Sequence, residues 1–354
     1  MDQLIAVAGG ARRWLIVAVA AQLVLVAGML HVDGMFVHVG MDFLTSYTAA
    51  EMIYDGAATD LYDTRAQSEY QRPITDAYEI DWGDRIMHPF ISPPILSVMA
   101  MPLLILGPTG GYIAWALLNL AAVGLAVVLL VRRMGIAWQT SMAVLIGSLP
   151  LFMVLMLGQA EGLLVLTFVL FAIELTDGHL VRSGLALAAF AIKPPLLLAP
   201  LIYLAITGRR KATWTAILAV AGQAAASIVL VGPNGVHGYV ELSRRLSGAD
   251  GTVVTNVWGM VKLRSIVVRA LPVDDRLMIN ATIVVLTGMT LAVACWFWRR
   301  AGQEATSLPS LALLAVTTVL MSYHTLYHTT TIALIGAIFL VAHASADRDD
   351  VRVD

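Results

Sequence analysis

The residues of this chain that could move a proton or hold an anion are few, and they lie far apart in sequence. Asp42 stands in V-G-M-D-F-L-T-S-Y-T-A-A-E (residues 39–51), just after the first long apolar segment. Phe43, Tyr47, Ala50 and Tyr54 recur behind it at helical spacing, which predicts a short helix on the membrane surface with Asp42 at its amino end. Two roles are open for Asp42. As a helix cap its carboxylate would accept backbone N–H bonds. As a general base it would be held at the membrane edge against whatever the protein binds. Lys193, in A-F-A-I-K-P-P-L-L-L, is a cation between apolar runs. Such a charge lines a pathway or binds an anion, with phosphate the best match for a point cation, or else it snorkels to an interface. His324 and His328, in S-Y-H-T-L-Y-H, fall four apart. They suit proton transfer or phosphate contact, or simply two bonded histidines at a helix mouth. Two ligands without a third make no metal site. Gln159 and Glu161, in L-G-Q-A-E-G-L-L, put polar groups between two apolar segments, for helix capping or for recognising a sugar hydroxyl. His88, before Pro89, could line a cavity, and Asn256, beside Trp258, suits an interfacial helix where tryptophan anchors.

The elements that must position these side chains are membrane helices. Of 354 residues 59% are hydrophobic and 13% charged, far more apolar surface than a water-soluble domain can bury. The apolar blocks are continuous rather than alternating, which excludes a β-barrel. A crossing needs about 20 apolar residues. The net charge of −2 says little about partners. The lone cysteine, Cys295, allows no disulfide within the chain.

Arg12 and Arg13 precede a first helix expected at 14–30, which puts the amino terminus in the cytoplasm. The loop 31–89 is then external, with eleven acids against the three arginines Arg65, Arg72 and Arg85. Arginine and lysine clusters at 132–133, 182, 209–211 and 299–300 mark the inside. That brings residues 158–159, 193–195, a second loop 232–276 and 324–328 to the side of Asp42. Nine to eleven crossings are expected. Residues 92–106, short and carrying Pro93, Pro94 and Pro102, are expected to be re-entrant or tilted. Residues 184–192 and 196–207 are short for a core of about 30 Å and read as one broken helix. The charged tail 344–354 is expected to fray. The whole chain reads as one transmembrane domain.

There is no phosphate-cradling glycine loop, no Ser-His-Asp pattern, no CxxC and no basic-aromatic code for nucleic acid. A carboxylate, scattered cations and polar turns at one membrane face fit a reaction on a lipid-carried anionic substrate. A transporter or flippase of a lipid-linked anion is the alternative. The lack of an inverted internal repeat counts against it. A non-enzymatic scaffold is a third reading.

Assembled in order, the segments D-F-L-T-S-Y-T-A-A (42–50), L-Y-D (61–63), F-I-S-P-P-I (90–95), G-Q-A-E-G-L-L (158–164), G-L-A-L-A-A-F-A-I-K-P-P-L-L-L-A-P-L (184–201) and S-Y-H-T-L-Y-H (322–328) resemble glycosyltransferase family 87. That family lies within the integral-membrane GT-C superfamily and includes polyprenol-phosphate-mannose-dependent mannosyltransferases of bacteria. The resemblance implies an all-α, polytopic GT-C helical bundle, with surface helices in a long first external loop and a catalytic aspartate at its start, here Asp42. It implies a donor sugar, mannose above all, on a polyprenyl phosphate, and a lipid or glycan acceptor. It also implies an inverting attack with Asp42 as general base. Lys193 and His328, with Arg264 behind them, would hold the donor phosphate; Tyr47, His88, Gln159, Glu161, Asn256 and His324 are candidates for substrate contact. The site would face the periplasmic side of a bacterial plasma membrane. No cofactor, metal or nucleic acid is expected. The sequence departs from the family's usual residues at Ser92 (tyrosine), Glu161 (asparagine), Tyr323 (proline) and Leu326 (tryptophan), which bears on sugar and acceptor more than on fold.

Overall fold

A computed structural model describes residue 24 and residues 39–80, 88–246, 263–270, 276–322 and 326–350. Of the first helix expected at 14–30 only Val24 is among them, and it is helical. Every regular element of the described chain is a helix. It runs through α1 (Met41–Tyr54), α2 (Thr64–Ala77), α3 (Pro94–Ala100), α4 (Gly107–Met134), α5 (Trp138–Ile146), α6 (Leu149–Leu157) and α7 (Glu161–Thr176). It continues through α8 (Leu180–Ala188), α9 (Leu198–Ile206), α10 (Arg210–Leu246), α11 (Leu263–Ala270), α12 (Arg276–Ala301), α13 (Leu308–Met321) and α14 (Thr331–Asp350). This is an all-α polytopic membrane protein.

Among the described residues four helical runs are long and apolar enough to cross a membrane: Pro94–Met134, Arg210–Arg245, Leu277–Ala301 and Tyr327–Ala346. α5 and α6, bent by 57° at residues 147–148, make a fifth if taken as one broken span. The stretches Leu180–Ile192, Pro194–Ile206 and Leu308–Met321 are apolar but shorter. The nine to eleven crossings expected include the segment 14–30, of which only Val24 is described, and these shorter apolar stretches.

Two breaks in the helical chain share a cause. Gly107 (φ 67°, ψ 174°) and Gly232 (φ 64°, ψ −178°) each precede a proline. Proline drives the residue before it out of the helical region, and only glycine takes a positive φ there without strain. At Gly107 the chain folds back: the carbonyl oxygen of Leu103 lies 3.2 Å from where a Cβ on Gly111 would stand. In a straight helix those two positions would be about 12 Å apart. The residues just before Gly107 therefore lie against the start of α4. At Gly232 the break divides α10, so the expected loop 232–276 begins with a further helical segment reaching Leu246.

Large apolar side chains on α4 (Ile113, Leu117, Leu125), α10 (Leu218, Val229) and α12 (Leu277, Val284, Val293) are exposed. Contiguous apolar surface of this extent is untenable in water and is what a helix presents to lipid. The core holds Phe168, Phe171 and Phe190 in one cluster. Tyr203 and Trp298 meet edge to face at 5.1 Å.

One local expectation is corrected. α1 does not lie on a surface with one covered face: Phe43 to Ala50 are all buried, because helices α2, α3, α4 and α6 enclose it. α14 runs to Asp350.

Candidate active site

Five breaks in the helical chain meet at one place: the start of α1, the strap after α2, the α6–α7 turn, the α8–α9 break and the turn before α14. Irregular backbone at membrane depth survives only where protein covers it or a cavity opens beside it. These are the positions where polar side chains are found.

Asp42 does not cap its helix. The N-cap is Gly40 (φ 80°), with no side-chain cap bond. The Asp42 carboxylate, in the first turn of α1, turns instead to two side chains from distant chain segments. His88 Nε2 lies 2.9 Å from Oδ1, and the Gln159 amide nitrogen donates to Oδ2. Burial alone would raise the Asp42 pKa. The hydrogen bond and charge of His88, the charge of His328 and the Gln159 bond outweigh it and hold the carboxyl below the ordinary range. An ionised carboxylate near a helix amino end also gains from the helix dipole.

Gln159 is aimed by the turn that carries it. Gly158 ends α6 in the left-handed conformation (φ 75°, ψ 39°), and a Cβ there would stand 2.5 Å from the Cβ of Phe43. The orphan carbonyls at the end of α6 are taken by α1 and α4. Gly40 N–H donates to Met156 O at 2.6 Å, Tyr112 Oη to Leu155 O at 2.9 Å and Trp115 Nε1 to Gly158 O at 3.0 Å. Phe43 packs against both of those rings, so α1 and the α6–α7 turn are fixed together.

The amide oxygen of Gln159 accepts from Lys193 Nζ at 2.7 Å. Lys193 sits in extended backbone (φ −134°, ψ 76°) between two 3-10 turns, Ala189–Ile192 and Pro194–Leu197. Pro194 and Pro195 stop the helix here, as proline must. The ammonium also bonds Glu161 Oε1, which excludes the snorkelling reading. Glu161, the first residue of α7, is fully buried. His328 Nδ1 lies 2.6 Å from the same oxygen, and Thr329 Oγ1 donates to it at 2.9 Å. Three donors thus converge on Oε1. The other carboxylate oxygen of Glu161 and the Nε2 of His328 are buried without a partner among the described residues.

The result is one chain of bonds: His88, Asp42, Gln159, Lys193, Glu161, His328. Six of the residues singled out in sequence are brought together. Tyr47 is not; it is buried against Phe43 at 5.9 Å. Asn256, His324 and the side chain of Arg264 lie outside the described residues. Thr329 went unnoticed in sequence, since a hydroxyl beside a histidine gives no signal. Gln67 and Gln71 were also missed, though two glutamines four apart on a polar helix were visible. Among the described residues no three or more His, Cys, Asp or Glu side chains are grouped to hold a metal ion.

The profile of glycosyltransferase family 87 matches residues 90–349, most of the chain. The chain belongs to glycosyltransferase family 87. No curated protein and no solved structure matches it. Gln159, Glu161, Lys193 and His328 of this membrane glycosyltransferase lie within the matched span, while Asp42 and His88 precede it.

Proposed function

We propose that this glycosyltransferase moves a hexose, mannose in the first instance, from a polyprenyl-phosphate-linked donor to a hydroxyl of a lipid or glycan acceptor, with inversion and with Asp42 as general base. The observation that carries this reading is the pairing of Asp42. Its carboxylate is kept ionised by His88 and Gln159, and it is one amide away from the ammonium of Lys193.

The step balances as follows. The acceptor oxygen forms a bond to the anomeric carbon from the face opposite the phosphate, and its proton passes to the Asp42 carboxylate. The bond between the anomeric carbon and the phosphate oxygen breaks, and its electron pair leaves with the lipid phosphate. The phosphate goes from a singly charged diester to a doubly charged monoester. Lys193 and His328 would meet that new charge, His328 through the Nε2 that has no partner among the described residues. Electrostatic groups fixed where charge develops supply much of enzymatic rate enhancement. A positioned base typically adds 10²–10⁴-fold. The donor would enter from the membrane, and the site would face the periplasmic side of a bacterial plasma membrane. The reaction as written calls on no cofactor.

The test is sugar transfer by purified protein in lipid, with polyprenyl-phosphate mannose as donor and a membrane lipid extract as acceptor. Wild type should transfer, with the anomeric configuration of the product opposite to that of the donor. Folded Asp42→Asn should lose at least about 100-fold. Full activity in Asp42→Asn would overturn the assignment.

A further inference from the structure

His88 sits on a strap that has no sheet to join among the described residues. Residues 88–90 run between α2 and α3 without helical bonds of their own, so their backbone groups need other partners. Two side chains supply them. Gln71 donates from its amide nitrogen to the carbonyl of His88 at 2.6 Å and accepts from the His88 N–H at 3.1 Å. Gln67 does the same two residues on. It donates to Phe90 O at 3.2 Å and accepts from Phe90 N–H at 2.8 Å, with a further bond to Leu61 O at 2.7 Å. Residues i and i+2 of an extended chain present their backbone groups on one edge, and residues i and i+4 of a helix share one face. The two glutamines therefore take the part of a neighbouring strand.

Both amides are buried. A buried amide is costly unless bonded, and Leu or Met would fill the space at no such risk. The strap is pinned further on. Phe90 stacks on Tyr62 at 6.1 Å, and Tyr62 Oη donates to Ser92 O at 2.8 Å. With Pro89 holding His88 in the extended region, little freedom is left to the backbone that carries the imidazole to Asp42.

We infer that Gln67 and Gln71 are positioning residues of the transfer reaction, holding the 88–90 backbone so that the His88 imidazole meets Asp42. This rests on Asp42 being the base. A plain structural role, in which the amides only satisfy the strap, would leave the ionisation of Asp42 untouched, and the test turns on that difference.

The experiment uses the full chain in lipid nanodiscs. Gln71→Met keeps length and volume and removes both bonds to His88. Gln71→Glu is the second variant if the first fails to fold; it can still accept from the His88 N–H but cannot donate to its carbonyl. Amide hydrogen exchange at His88 should speed up in the variant. The Asp42 carboxyl, followed by ¹³C NMR of labelled aspartate, should titrate at higher pH than in wild type. The kcat for sugar transfer should fall on the order of 100-fold, as a displacement of about 1 Å at a reacting group can cost, with KM for the donor little changed. In a His88→Ala background, Gln71→Met should add no further loss. Unchanged exchange would remove the clamp. Faster exchange with an unmoved Asp42 titration would reduce it to a structural bond. Additive losses with His88→Ala would show that it acts by another route. If wild type transfers no sugar from any polyprenyl-phosphate donor, the base assignment fails, while the exchange and titration results still decide whether the clamp sets Asp42.

Discussion

Asp42 and Lys193 share a single amide: Gln159 donates to the carboxylate from its nitrogen and accepts from the ammonium at its oxygen, 2.7 Å away. The two charges of the site are thereby held in fixed relation without touching, and the Asp42 side chain keeps 18% of its surface exposed. Gln159→Leu removes both bonds at nearly constant volume. A hydrogen bond to a charged group contributes roughly 1.5–3 kcal/mol, so transfer should fall about 10- to 100-fold. The acid limb of the pH–rate profile should move upward, because Gln159 is one of the groups that lower the Asp42 pKa. A variant with wild-type rate and an unmoved limb would show the amide to be incidental.

Glu161 and Lys193 make the second prediction. Glu161 is fully buried and the Lys193 side chain is 19% exposed. Removing one partner of a buried pair leaves an uncompensated charge and costs about 3–5 kcal/mol. Lys193→Met should lower thermal stability by that order. Glu161→Gln added to it should restore much of the loss, since the stranded charge goes with it. Thermal unfolding of wild type, Lys193→Met, Glu161→Gln and the double variant in detergent measures the coupling; losses that simply add would refute it.

The sequence made some of this legible and hid the rest for physical reasons. Helical class was plain because continuous apolar blocks admit little else. The two Gly-Pro steps at 107–108 and 232–233 mark breaks by local sterics alone. Asp42, Lys193 and His328 stood out as polar groups at the ends of apolar runs. Their partners did not. That Asp42 bonds Gln159, 117 positions on, and that Glu161 bonds His328, 167 positions on, are tertiary facts that no spacing encodes. Asp42 also shows how a local rule misleads. Position and residue type both suit a cap, yet Gly40 takes the N-cap place and leaves the carboxylate to the site.

Gly158 carries the third prediction. Its left-handed backbone would cost an L-residue roughly 1–2 kcal/mol, and its Cβ would stand 2.5 Å from that of Phe43. Overpacking of a tight contact adds typically 1–3 kcal/mol. Gly158→Ala should therefore lower stability by a few kcal/mol and push the α6–α7 turn from α1, separating Gln159 from Asp42. Transfer should drop more steeply than stability, when both are measured at a temperature where the variant remains folded. A stable variant of full activity would mean that the turn has slack which the Phe43 contact does not suggest.

Two carboxylates on α1 are pushed in opposite directions. Asp42 is lowered, whereas Glu51, nine positions on, is raised to about 7 by burial and then by the charge of Asp55. The sign for each follows from linkage. Asp42 binds its proton less readily folded than unfolded, so its contribution to stability is present above the ordinary aspartate range and is lost as pH falls through its folded value. Glu51 binds its proton more readily when folded. Its contribution is fully present below about 4.5 and is lost as pH rises through about 7. Stability should therefore decline between those values, and Glu51→Gln, which stays neutral throughout, should flatten the decline while leaving the low-pH behaviour as it was. Unfolding temperatures of wild type and Glu51→Gln at intervals from pH 4 to 8 provide the measurement. Parallel curves would mean that Glu51 is as well solvated folded as unfolded. A crossing of the two curves near neutral pH would instead place the raised proton affinity at Glu51 and not at its neighbour Asp55.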